Sequence, residues 1–183
     1  LIPLQILGVF EVKRFLLSFV LILCLVFGIN NHAIAKDNIE AIETISQIGS
    51  LANSGNYMQA LDKCNQALKK YPKEPDLYYW KASIQSSINQ KHEALENFNK
   101  AIALDSKEAT YYVVRGICKM DLNDYTGAEA DFNKAIELNP NDATAFTMRG
   151  CAKLAQGNID GANNDLTKAN QLFDKDEEIQ KAK

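Results

Sequence analysis

Four alanines, Ala60, Ala94, Ala128 and Ala162, stand 34 apart, and a second row, Ala67, Ala101, Ala135 and Ala169, keeps the same interval. Between the two rows lies a bulkier apolar position, held by Cys64, Phe98, Phe132 and Leu166. Each unit therefore reads alanine, a bulky residue four later, and alanine three after that, which is one stripe of an α-helix. One such unit leaves apolar surface that only its neighbours can cover. Stability in a chain of this kind is a sum over interfaces between units rather than the yield of one central core.

The residues around the stripe place eight helices, over 38 to 53, 56 to 70, 75 to 88, 91 to 104, 109 to 122, 125 to 138, 143 to 156 and 159 to 173. Gly55-Asn56, Asn89-Gln90, Asn123-Asp124 and Gly157-Asn158 punctuate the middle of each unit, as residues that tolerate tight turns do. Pro72, Asp105-Ser106 and Asn139-Pro140 close units. No β-strand pattern competes. Small residues in the first helix of a pair, Ala82, Gly116 and Gly150, face the alanines of the second and permit close approach. Larger side chains there would overpack, at about 1 to 3 kcal/mol.

The unit from Ala109 to Asp142 carries Tyr112, Gly116, Tyr125, Ala128, Phe132, Ala135 and Pro140. Those residues resemble the tetratricopeptide repeat (TPR) pattern of aromatic, small, aromatic, small, aromatic, small and proline, with its period of about 34 residues. The resemblance covers about residues 41 to 176 and implies an all-α fold, a right-handed α-solenoid of four antiparallel helix pairs. The units are 41–74, 75–108, 109–142 and 143–176, with 36–40 opening the first helix and 177–183 as a polar tail, expected to be frayed. The first unit departs from the pattern at Ile48, where a small residue belongs, and at Cys64, where an aromatic does; the fourth has Leu166 and no closing proline.

Ahead of the repeats, Lys13-Arg14 precedes an apolar run from Phe15 to Ile29, and the segment ends in Ala33-Ile34-Ala35. A basic start, an apolar middle and a small-x-small end are the parts of a secretory signal peptide. The expectation is a signal over 12–35, cleaved after Ala35, with 1–11 an uncertain upstream segment. The run is shorter than the roughly 20 residues a membrane-spanning helix needs, and an uncleaved anchor is the alternative. Cleavage removes Lys13, Arg14 and Glu11 and leaves 18 basic against 22 acidic residues. Lysines such as Lys63, Lys100, Lys134 and Lys168 read as a solvated outer face. A nucleic-acid partner, which needs a concentrated basic surface, is not expected.

Of three cysteines in the repeats, Cys64 holds a core position, while Cys118 and Cys151 sit on the first helices of adjacent units and raise the question of a disulfide. No metal is expected, since His92 is the one histidine beyond the signal and no CxxC or HxxxH spacing occurs. Asp121 to Gly127 fails calcium-loop spacing and reads as a turn. Ser83, Ser86 and Ser87 lack a histidine partner, so no enzyme and no cofactor are expected. Arg115 and Arg149 are each followed, at the same interval of 16, by an aspartate, Asp131 and Asp165. An ion pair within or between units, such as Arg149 with Asp131, accounts for them, because buried arginine is usually paired.

In proteins that TPR units resemble, the first helices line a concave groove. Carrying that register across places Tyr79, Ser83, Ser86, Thr110, Val113, Ile117, Met120, Thr147, Cys151 and Leu154 on the groove, with Asp76 and Asp121 at its edges. The family's carboxylate clamp of lysines, arginine and asparagines is missing here, where Tyr79, Ser83, Val114, Thr110 and Met148 stand. An apolar groove suits a segment with apolar anchors. The expected function is an exported, non-enzymatic interaction scaffold of a bacterial periplasm or cell envelope that binds a partner protein or peptide. The alternative is a membrane-tethered assembly or secretion chaperone.

Overall fold

The protein is described by a computed structural model covering residues 32–181, with side chains from 37 to 175. Those residues form eight helices and no strand: α1 (His32–Asn53), α2 (Tyr57–Lys70), α3 (Pro75–Ser87), α4 (Lys91–Leu104), α5 (Ala109–Asp121), α6 (Tyr125–Leu138), α7 (Ala143–Ala155) and α8 (Ile159–Lys181). Segment 1–11 and most of the expected signal, 12–31, lie outside the described residues, and α1 is already helical ahead of the expected cleavage point after Ala35. Helix α8 continues past the expected end at 173, taking in most of the expected tail.

Each pair is closed by the same turn. Gly55, Asn89, Asn123 and Gly157, spaced by 34, all have left-handed φ, from 62° to 80°. Only glycine and asparagine adopt that conformation at low cost. The residue after each donates its N–H five residues back, for example Asn56 to Leu51 O at 2.9 Å and Gln90 to Gln85 O at 2.8 Å, the bond that satisfies an orphan helix-end carbonyl. Three helix starts in the third and fourth units are capped by carboxylates. The Asp142 side chain accepts from Thr144 and Ala145 N–H, Asp124 accepts from Gly127 N–H, and Glu108 accepts from Thr110 N–H.

The first helices of the pairs, α1, α3, α5 and α7, touch one another in series, whereas the second helices touch first helices only. Two layers with contact along only one of them must curve toward the contacting layer. The first helices therefore line the concave side.

Within each pair, the position of Ile48, Ala82, Gly116 and Gly150 opposes that of Cys64, Phe98, Phe132 and Leu166, and the sizes are complementary. A Cβ added at Gly116 would come within 2.6 Å of the Phe132 ring, and one at Gly150 within 3.2 Å of Leu166. In the first pair the order is reversed: Ile48 is large, Cys64 small, and both are wholly buried in one cluster with Ala60, Ala67 and Leu77. Two departures from the repeat pattern are thus a volume-conserving exchange. Burial pushes the Cys64 thiol up to about 12, with nearby Lys81 opposing.

Arginines tie the stack together. Arg115 donates to Asp131 (Nε to Oδ2, 2.9 Å; Nη2 to Oδ1, 2.5 Å) and, from Nη1, to Asn99 of the preceding pair at 2.7 Å. Arg149 repeats this with Asp165 at 2.8 and 2.5 Å and with Asn133 at 2.8 Å. Lys119 and Lys153 complete each aspartate at 2.8 Å. Arg149 thus pairs with Asp165 of its own unit, not with Asp131, because the two antiparallel helices of a unit bring these positions face to face; its link backward is to an amide. In the second pair the aspartate's place is neutral, with buried Asn97 donating to Gln85 at 2.7 Å, while Lys81 stands at the arginine's place and donates back to Asn65 at 2.8 Å.

No bridge joins Cys118 to Cys151; both thiols are free. Their spacing is one short of the repeat, so they fall on different faces. Cys118 packs backward among Ala82, Ala94 and Phe98.

Candidate groove on the concave face

The groove is built from the shared register of α3, α5 and α7. Tyr79, Val113 and Thr147 form one row across it, Ser83, Ile117 and Cys151 a second, and Ser86, Met120 and Leu154 a third, each row stepping by 34 in sequence. Thr110 is exposed at the upper edge and Leu154, 45% exposed, at the lower. Tyr79, Ser83, Ile117, Met120, Thr147 and Cys151 are half-buried and present part of their surface to solvent. Val113 does not: it is buried among Tyr112, Ala128 and Phe132. It supports the wall, because the close approach of α5 to its neighbours leaves no gap at that row.

The second-pair end of the groove is aromatic. The Tyr79 ring lies edge-on to Trp80 at 5.3 Å and tilted against Tyr111 at 5.5 Å. The Tyr111 hydroxyl donates to Asp76. Burial first, then the charges of Asp76 and Glu108, hold both phenols above their usual range. Toward α7 the floor changes to Ile117, Met120, Cys151 and Leu154. Thr147 spends its hydroxyl on Ala143 O at 2.8 Å, leaving its methyl group to the apolar floor.

Two features escaped the sequence reading. Lys91 crosses the lower edge, donating to Ser86 Oγ at 3.0 Å and pairing with Asp121 of the next unit. The edge aspartate is therefore part of an ion pair spanning two units. The two partners lie 30 apart in sequence, a separation set by how neighbouring units stack rather than by any one helix. The other feature is Ile159, 61% exposed at the start of α8, where the second and third units carry Lys91 and Tyr125. Among the described residues, no group of three or more His, Cys, Asp or Glu is placed to hold a metal ion, and no helix is long and apolar enough to cross a membrane.

Tetratricopeptide repeat family models match residues 75–108, 109–142 and 132–162. Among solved structures, the fold is similar to that of PilF from Pseudomonas aeruginosa (22% identity, 75% of this chain and 63% of that chain, TM-score 0.71). It is similar to MamA from Desulfovibrio magneticus RS-1 (21% identity, 72% and 75%, TM-score 0.66). It also resembles the first TPR of Spaghetti (RPAP3) bound to the HSP90 peptide SRMEEVD (23% identity, 64% and 93%, TM-score 0.61). At these identities the likeness is one of fold. No relative is found among curated proteins.

Proposed function

Because the chain belongs to the tetratricopeptide repeat family, we propose that it is a non-enzymatic scaffold that holds a segment of a partner protein in its concave groove. The observation that carries this reading is the continuous floor of half-exposed Ile117, Met120 and Cys151 and exposed Leu154 on adjacent first helices. Partly solvated apolar side chains in a concave row are where a partner gains most from excluding water. A structurally similar TPR domain is seen bound to a peptide, which supports a protein segment as the ligand. The groove differs in chemistry from a carboxylate clamp, since Lys91, its edge cation, is engaged by Asp121. Apolar anchors, rather than a terminal carboxylate, are the recognised feature.

Export to a bacterial envelope belongs to the same proposal, supported by Lys13-Arg14, the apolar run and Ala33-Ile34-Ala35. N-terminal sequencing of the mature protein should begin at Lys36. A mature form retaining Phe15 to Ile29 contradicts export with cleavage and favours a tethered protein.

The groove itself is tested by substitution. Thr147→Glu and Ile117→Glu should each weaken partner binding by about tenfold or more, the loss of roughly 1.4 kcal/mol or more expected for an interface anchor. Thr147→Glu, at a half-exposed site, should keep the helical circular dichroism signal. Undiminished binding by a folded Thr147→Glu protein would remove the groove from the interface.

A further inference from the structure

The lower edge of the last two units carries an apolar strip that continues the groove beyond its register. In the second unit Lys91 shows what this place touches, since it reaches Ser86 at the end of its own first helix and Asp121 at the end of the next. The same two places in the fourth unit are Leu154 and Ile159, 45% and 61% exposed, and no described helix covers them. Exposed Ala155 and half-buried Met120 and Tyr125 extend the strip back to the third unit.

The charges at its border are of one sign. Asp124 and Asp160 are exposed, and Glu129, half-buried, is held there by the Gln156 amide at 2.8 Å. The nearby lysines are turned inward: Lys119 to Asp131, Lys153 to Asp165, and Lys91 to Asp121. What faces solvent beside the strip is carboxylate. An anionic lipid surface or an acidic segment would meet repulsion there, whereas lysine or arginine beside an apolar anchor finds opposite charge.

We propose that this strip takes a cationic amphipathic segment of a partner protein, its apolar side chains on Met120, Leu154 and Ile159 and its basic side chains toward Asp124, Glu129 and Asp160. This rests on the reading of the concave face as the partner-binding surface. Ile159 is then an anchor that the groove register alone does not include.

The test is selection of a random dodecapeptide display library on the purified full chain, followed by anisotropy measurements with the enriched peptides. Enriched peptides should combine Leu, Ile, Met or Phe with Lys or Arg. They should lose about tenfold in affinity for Ile159→Asp, a change at an exposed site. They should also bind about threefold or more weakly in roughly 0.5 M salt than at low salt. Glu129→Gln with Asp160→Asn should flatten that salt dependence while the apolar contacts remain. Enriched peptides that are acidic or uncharged, or that ignore Ile159→Asp, overturn the cationic segment. If those same peptides still fail on Thr147→Glu, the groove reading survives alone. Peptides indifferent to both substitutions, or a selection that enriches none, overturn both.

Discussion

Gly116 meets the Phe132 ring so closely that an added methyl group has nowhere to go, because Phe132 is wholly buried and its ring cannot swing aside. Gly116→Ala should therefore lower stability by about 1–2 kcal/mol, overpacking outweighing the gain in helix propensity. At Gly150 the opposing atoms belong to half-buried Leu166 and lie farther off, so Gly150→Ala should be close to neutral. Thermal melts of the two variants check the order; equal losses would mean that helix spacing is not set by this contact. Thiol chemistry reads the same packing. Cys64 is buried with its thiol pushed up to about 12, and Cys118 is buried with its thiol raised by desolvation. Cys151 is half-exposed on the groove. Of these three, Cys151 should react first with a thiol reagent, with Cys64 and Cys118 labelled only on unfolding, as peptide mapping by mass spectrometry would show. The core position of Cys64 was legible in sequence, but the pairing of Ile48 with Cys64 was not. Each looked like a separate lapse from the pattern until the two side chains were seen to share one space.

At the level of helices, the eight expected spans agree with the observed ones to within a residue or two, apart from the start of α1 and the end of α8. The agreement arises because turn residues and apolar stripe point the same way in every unit. The links between helices were harder to read. Arg115 and Arg149 were expected to be paired, but antiparallel packing decides which aspartate each meets, and periodicity does not encode it. The Arg149 network also gives the stack a pH dependence. Burial alone would raise the Asp165 carboxyl, but hydrogen bonds and charge from Arg149 and Lys153 outweigh it and leave it below the usual range. A depressed carboxyl contributes stability above its unfolded value of roughly 3.9 and loses it as pH falls from there through the folded value. Asp165→Asn should cost roughly 3 kcal/mol near neutrality and less at low pH. Denaturant unfolding across that range would show it, and an unchanged acid limb would contradict the linkage.

At the scale of the whole molecule, both ends of the described array present polar residues, with exposed Phe173 beside them on α8. Glu43, Ser46, Gln47 and Ser50 are exposed on α1, at places where inner units bury or half-bury Leu77, Trp80, Lys81 and Ile84. Asn163 and Asn170 do the same on α8, at places where inner units half-bury Leu95 and Glu129, and Ile102 and Ile136. Terminal repeats with polar outer faces stop a solenoid from stacking on its copies, and in the function proposed above the partner takes the concave side and its lower edge. The location of that surface was legible from the register of the first helices. Its chemistry was legible only in part, since Val113 turned inward, and Ile159 and the Lys91–Asp121 pair became visible only once neighbouring units were placed side by side. The most direct measurement is hydrogen–deuterium exchange of the full chain with and without a display-selected peptide. Binding on the concave face predicts added protection in α5 and α7 and at the start of α8, with α2 and α4 unchanged. Protection confined to α2, α4 and α6 would place the partner on the convex side and contradict it.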